Sequence, residues 1–185
     1  MSDNKKILIF TATYNEAENV ENLINSIKLY SPNSHVLIID DNSPDGTSEI
    51  IKKKISKSEN IFLISREGKS GLDTAHKEAY EFALKNQYDY LITMDADFSH
   101  DPIVIGSRYI KNGKCLMRGR RLAMSKYGNL LMKFLLRIDC NEFTTSYRGF
   151  NLKKLKNFHL NKIQTKGYSF FMGTIAEINR MNFQI

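Results

Sequence analysis

The chain has two cysteines, three prolines and no apolar run long enough to span a membrane. Cys115 and Cys140 match no metal-ligand spacing, which sets aside a zinc centre and a disulfide framework and leaves two thiols in a reducing cytosol. The N-terminus runs straight into Ile7-Leu8-Ile9-Phe10, too short for a signal-peptide core or a span, and no other apolar stretch approaches the roughly twenty residues that a crossing needs. A cytoplasmic protein is expected, able to lie peripherally on the cytoplasmic face of a membrane. Glycine-rich phosphate loops are absent too: neither G-x-G-x-x-G nor G-x-x-x-x-G-K-[ST] occurs, which disfavours a Rossmann dehydrogenase or a P-loop enzyme. Carboxylates are missing from one long stretch. None lies between Asp101 and Asp139, where nine lysines and arginines fall, among them Arg108, Arg121, Lys126 and Lys133.

That gap is part of a larger division of charge. The net charge of +7 combines an acidic part, residues 1–101 with 17 acids against 11 bases, and a basic part, residues 102–185 with 3 acids against 16 bases. A basic field of this kind attracts phosphates, anionic lipid or nucleic acid. Nucleic acid is disfavoured, because the aromatic residues of the basic part form no interleaved stacking pattern. A length of 185 residues fits one domain, 1–185, with a core that buries about two-thirds of the surface its unfolded chain exposes.

Along the first hundred residues, apolar runs alternate with helix-like segments. Ile7 to Phe10, Val36 to Ile39, Ile61 to Ile64 and Tyr90 to Met94 read as strands, and their unbroken apolar character suits a parallel sheet buried on both faces. Val20, Leu23, Ile24 and Ile27 recur at helical spacing, with Asn15 and Glu18 as a capping box and an end near Tyr30. Ser43-Pro44-Asp45-Gly46 is turn chemistry leading into a second helix through Ile50, Ile51 and Ile55. Ala75, Ala79, Phe82 and Ala83 mark a third. Leu122 to Ile138 predicts an amphipathic basic helix in which Leu131, Phe134, Leu135 and Ile138 share a face. Such a helix either packs on the domain or lies on anionic lipid.

In an open parallel sheet, ligands bind beyond the carboxyl ends of the strands. Here those ends carry Thr13-Tyr14-Asn15-Glu16, Asp40-Asp41-Asn42-Ser43, Ser65-Arg66 and Asp95-Ala96-Asp97. Carboxylates at such tips accept hydrogen bonds from ribose hydroxyls and base nitrogens, and they hold Mg²⁺ or Mn²⁺ through hard oxygen ligands. Together they suit a nucleotide-sugar diphosphate bound through a metal.

These residues resemble the family 2 glycosyltransferases of the GT-A fold and, within them, the polyprenol (dolichol) phosphate mannosyltransferases. The resemblance spans essentially the whole chain. It rests on Thr13-Tyr14-Asn15-Glu16, on Asp40-Asp41-Asn42-Ser43-Pro44-Asp45-Gly46-Thr47, on Lys69-Ser70-Gly71-Leu72, and on Met94-Asp95-Ala96-Asp97-Phe98-Ser99-His100. It continues through Gly106-Ser107-Arg108-Tyr109, Arg121 with Ser125, Thr145-Ser146-Tyr147-Arg148 and Gly167-Tyr168-Ser169-Phe170. A GT-A fold is implied, with a mostly parallel sheet flanked by helices and an irregular, basic, helical C-terminal part. The implied reaction moves mannose, or a related hexose, from GDP-mannose to a polyprenyl phosphate with inversion.

By the same resemblance Ala12, Tyr14, Glu16, Ile39 and Asp41 match donor-nucleotide positions. Asp95, Ala96 and Asp97 match the diphosphate positions, with Asp95 and Asp97 on the Mg²⁺ or Mn²⁺ ion. Arg108, Arg121 and Ser125 match the acceptor-phosphate positions, and Asp97 and Arg108 carry the catalytic roles. Residues 1–101 would then form the donor half, and residues 102–185 the acceptor and membrane-facing half. No catalytic histidine is required. A phosphate monoester carries about −1.5 to −2 charges at pH 7 and attacks without deprotonation, so His76 and His100 read as a helix-surface residue and a loop residue.

Against the family's pattern the chain reads as internally shortened. Only Ile103, Val104 and Ile105 separate His100-Asp101-Pro102 from Gly106-Ser107-Arg108-Tyr109, whereas a parallel crossover takes about a dozen residues. It also reads as stopping before a C-terminal donor-clamping segment. Two alternatives therefore stand beside the leading reading: a glycosyltransferase using another donor such as UDP-glucose, and a non-catalytic nucleotide-sugar or lipid-surface binding domain.

Overall fold

The computed structural model describes residues 5–96, 118–155 and 157–183. The four apolar runs form strands β1 (Ile7–Thr13), β2 (His35–Asp40), β3 (Ile61–Ser65) and β4 (Tyr90–Asp95), and β5 (Arg148–Asn151) joins at one edge. The sheet order is β3-β2-β1-β4-β5. The first four strands are mutually parallel and β5 runs antiparallel to β4. Register then aligns the strand ends. Thr13 pairs with Asp40, Asp40 with Ser65 and Ala12 with Asp95, so the carboxyl ends of four strands stand side by side.

Both faces of the sheet are covered, which is why its strands are apolar throughout rather than alternating. On one face Leu8, Phe10, Leu37, Ile39 and Leu91 pack with Ala75, Ala79, Tyr80 and Ala83 of α3 (Leu72–Lys85) and with Phe170 and Phe171 of α5 (Tyr168–Arg180). On the other, Ile9, Val36, Ile38 and Met94 meet Val20, Leu23, Ile24 and Ile27 of α1 (Val20–Tyr30) and Ile51 of α2 (Thr47–Ile55). Each fully buried Leu, Ile or Phe contributes about 1.5–3 kcal/mol. Small alanines on α3 let that helix approach the strands closely.

Three expectations are corrected. Asn15 does not cap α1: the helix begins at Val20 after Asn19, with no side-chain cap. Asn15 instead takes a left-handed conformation (φ 60°), and its backbone N–H donates to Ser43 Oγ at 3.0 Å, tying the β1 tip to the β2 tip. His76 is not a surface residue but is buried among the rings of Phe10, Phe170 and Phe171. Ile138 leaves its expected face, because α4 (Gly119–Leu136) is ended by Arg137 in the left-handed region (φ 53°). Beyond that turn Ile138 packs against Phe143 and Ile175. The shortened bridge at 103–105 lies outside the described residues, as do Cys115 and His100.

Candidate active site

The paired aspartates at the β2 tip do different work. Asp40 is fully buried, and its carboxylate accepts hydrogen bonds from Thr13 Oγ1 (2.8 Å), Ser43 N (3.0 Å), Ser43 Oγ (2.6 Å) and Ser48 Oγ (2.8 Å). Burial alone raises its pKa, but the hydrogen bonds led by Ser43 outweigh that and hold it below the ordinary value. Asp40 is thus a scaffold anion that gathers the β1 tip, the turn after β2 and the start of α2. Asp41, next along, is engaged by the Arg66 guanidinium from the β3 tip and accepts from Ser70 N at 3.3 Å. Arg66 also donates to Thr74 Oγ1 at 2.7 Å, which fastens the start of α3 to the same ion pair. Gly71 makes that turn possible: its φ is 95°, and a Cβ there would meet Asp73 Oδ1 at 3.1 Å.

At the β1 tip Tyr14 is exposed, with the Lys69 ammonium 4.5 Å from its ring centroid. Glu16 donates its backbone N–H to Thr47 Oγ1 (3.0 Å) and accepts from Asn19 Nδ2 (2.9 Å). Ala12 is half-buried between β2 and β4, whereas Ile39 is fully buried in the core beneath the edge. The expected donor residues Ala12, Tyr14, Glu16, Asp41 and Asp95 therefore share one edge. Lys69-Ser70-Gly71-Leu72 folds over the same edge through Ser70 and Lys69.

Asp95 ends β4 and Ala96, buried, follows it. Ser146, from the segment leading into β5, donates to Asp95 Oδ1 at 2.5 Å. Just after it, Arg148 donates to the carbonyls of Thr145 (2.9 Å), Phe171 (2.9 Å) and Phe143 (3.0 Å) and stacks on Phe171. Burial brings this guanidinium down to about 10, so it is charged at neutral pH. Burial, and secondarily the Arg148 charge, push His76 down to about 3 against the pull of Asp95. His76 is therefore neutral and holds no proton for transfer.

Asp97 and Arg108 lie outside the described residues. Among the described residues no group of three or more His, Cys, Asp or Glu side chains is placed to hold a metal ion. The donor set fits a hard cation nonetheless. Mg²⁺ and Mn²⁺ take one or two protein carboxylates and complete their shell with water and phosphate oxygens. An oriented Asp95 with a second aspartate two positions on offers carboxylate oxygens of that type.

Arg121 and Ser125 occupy successive turns of α4, and the line they start continues through Asn129, Met132 and Leu136. This is the side that meets the domain. Asn129 is the buried residue of the helix, accepting from Phe143 N at 2.9 Å and approaching Glu142 Oε1 at 3.5 Å, while Met132 and Leu136 pack with Ile138, Phe143 and Ile175. The opposite side is exposed and apolar, with Phe134 at 78%, Met124 at 75% and Tyr127 at 72%. No helix among the described residues is long and apolar enough to cross a membrane.

Arg66 and Ser146 have no role in the site expected from the sequence. Arg66 carried a usable signal, since it stands at a strand tip beside two aspartates. Ser146 carried none locally, being 51 positions from the carboxylate it holds.

The profile described as Glycosyl transferase family 2 matches residues 8–184. The polyprenol monophosphomannose synthase of Mycolicibacterium smegmatis is 31% identical over 183 residues, covering 90% of this chain and 69% of that protein. The undecaprenyl-phosphate mannosyltransferase of Micrococcus luteus is 31% identical over 180 residues, covering 89% of this chain and 74% of that one. Among solved structures, glucosyl-3-phosphoglycerate synthase from Mycobacterium tuberculosis, in complex with Mn²⁺, UDP and phosphoglyceric acid, matches with a TM-score of 0.65. Its identity is 16%, over 96% of this chain and 65% of that one, a likeness of fold. Strand order, acidic strand tips and these matches converge: the chain belongs to glycosyl transferase family 2 and is a glycosyltransferase of the GT-A fold.

Proposed function

We propose that this protein moves a hexose, mannose from GDP-mannose, onto a polyprenyl phosphate with inversion at the anomeric carbon, working as one domain with a donor half and an acceptor half. The observation that carries the reading is the common edge on which Tyr14, Glu16, Asp41 and Asp95 stand, beside relatives whose names specify polyprenol phosphate and mannose. Tyr14, Glu16 and Asp41 would bind the nucleoside together with Ala12 and Ile39, and Asp95, Ala96 and Asp97 would take the diphosphate, with Asp95 and Asp97 holding Mg²⁺ or Mn²⁺. Bound there, the ion offsets charge that builds on the departing diphosphate.

Arg108, Arg121 and Ser125 would grip the acceptor phosphate, with guanidinium forks matching its oxygens. An acceptor phosphate oxygen bonds to the anomeric carbon as the bond from that carbon to the diphosphate breaks, and the nucleoside diphosphate leaves with the electron pair. No side chain has to remove a proton, so a neutral, enclosed His76 is no obstacle. What the chain supplies is alignment. The apolar face of α4, flanked by Lys126 and Arg120, would rest on an anionic membrane and bring the lipid phosphate to Arg121.

The test is a donor panel with radiolabelled GDP-mannose and UDP-glucose, polyprenyl phosphate and Mn²⁺. Lipid-linked mannose that disappears in Asp97→Ala is the expected result. Product from UDP-glucose alone replaces the donor, and calorimetric GDP binding without product from any donor leaves a binding domain instead.

A further inference from the structure

We infer that Ser146 is the positioning residue of the metal-binding carboxylate, holding Asp95 in one orientation for a divalent cation; this rests on the metal reading proposed above. The β4–β5 ladder places it. Thr93 pairs with Arg148 in antiparallel register, and carrying that register two residues on sets Ser146 opposite Asp95. Its hydroxyl donates to Asp95 Oδ1 at 2.5 Å, and Ser146 is buried.

Ser146 is itself fixed from both sides. The fully buried Thr93 hydroxyl donates to the Ser146 carbonyl, which locks the backbone of Ser146 to the strand that carries Asp95. On the other side, Arg148 gathers the carbonyls of Phe143 and Thr145, and the Tyr147 N–H donates to Thr145 Oγ1 at 3.2 Å. The segment ahead of β5 is thus tied down at nearly every residue, so the Ser146 hydroxyl meets the carboxylate from a set direction. A carboxylate that swings must lose that freedom when it binds a cation, whereas one already oriented by a donor does not. Outer partners of this kind typically change metal affinity about 10- to 100-fold when removed.

The experiment uses the full 185-residue protein with Mn²⁺ and GDP, reading free Mn²⁺ by electron paramagnetic resonance and the unfolding midpoint alongside. Ser146→Ala is expected to weaken Mn²⁺ binding about tenfold while the folded baseline is retained, and Ser146→Thr, which keeps the hydroxyl, to stay within about threefold of the parent. Two results overturn the inference alone: Mn²⁺ affinity in Ser146→Ala equal to the parent's, or equal weakening in the Ala and Thr variants. No Mn²⁺ binding by the parent, with or without GDP, overturns the metal reading and the inference with it.

Discussion

Asp40 and Asp41 are adjacent, acidic and buried, yet one gathers three segments of the fold and the other pairs with Arg66 at the acidic edge. The difference lies in what surrounds each carboxylate. Asp40 meets hydroxyls and a backbone N–H from three segments, while Asp41 meets a cation and the turn that opens α3. A buried carboxylate satisfied this fully favours its charged form, and its folded pKa is depressed. Its stabilising contribution is therefore complete above the unfolded value of about 3.9 and is lost as pH falls through the lower folded value. Asp40→Asn should cost about 3 kcal/mol at neutral pH, because an amide cannot accept from all these donors. Denaturant melts of parent and variant from pH 7 downward would show the gap narrowing in acid. A gap that stays constant with pH would contradict the assignment.

At the scale of elements, β1 carries one buried polar group with no partner among the described residues. Thr11 is buried near the middle of that strand, and its hydroxyl is without a hydrogen-bond partner among the described residues. Burying such a group unpaired is costly, and valine has the same shape without it, so Thr11→Val should raise stability by about 1 kcal/mol. Thermal unfolding checks this, a lowered midpoint counting against it. Helix α4 presents the reverse case, with large apolar side chains in water rather than a polar one in the core. If that face meets lipid, Leu131→Glu with Phe134→Glu should weaken sedimentation with phosphatidylglycerol vesicles at least about tenfold. Raised salt should weaken the parent's binding in parallel. Both positions are exposed, so the unfolding midpoint should hold; unchanged vesicle binding would remove the membrane from the proposal.

For the whole molecule, legibility followed the range of the interactions involved. The four parallel strands and the first three helices could be read from the sequence because burial on both sheet faces and helical spacing are written locally. The acidic edge was legible as well, since parallel strands all bring their carboxyl ends to one side. The enclosure of His76 is not legible locally, because it depends on Phe170 and Phe171, from a helix almost a hundred positions away. Asn15 does not cap the first helix because the turn after β2 competes for its backbone, a pull invisible in that helix's own sequence. Ser146 stands in a motif of the sequence without a role there, because its meaning resides in an antiparallel pairing at the sheet edge.

Among the described residues, helix α4 meets the domain through the buried Asn129 and the half-buried Met132 and Leu136. Its outward side chains carry no share of the core. Such a surface can drift in composition without taxing the fold, so the outward chemistry of α4 and the acidic edge of the sheet are free to change independently.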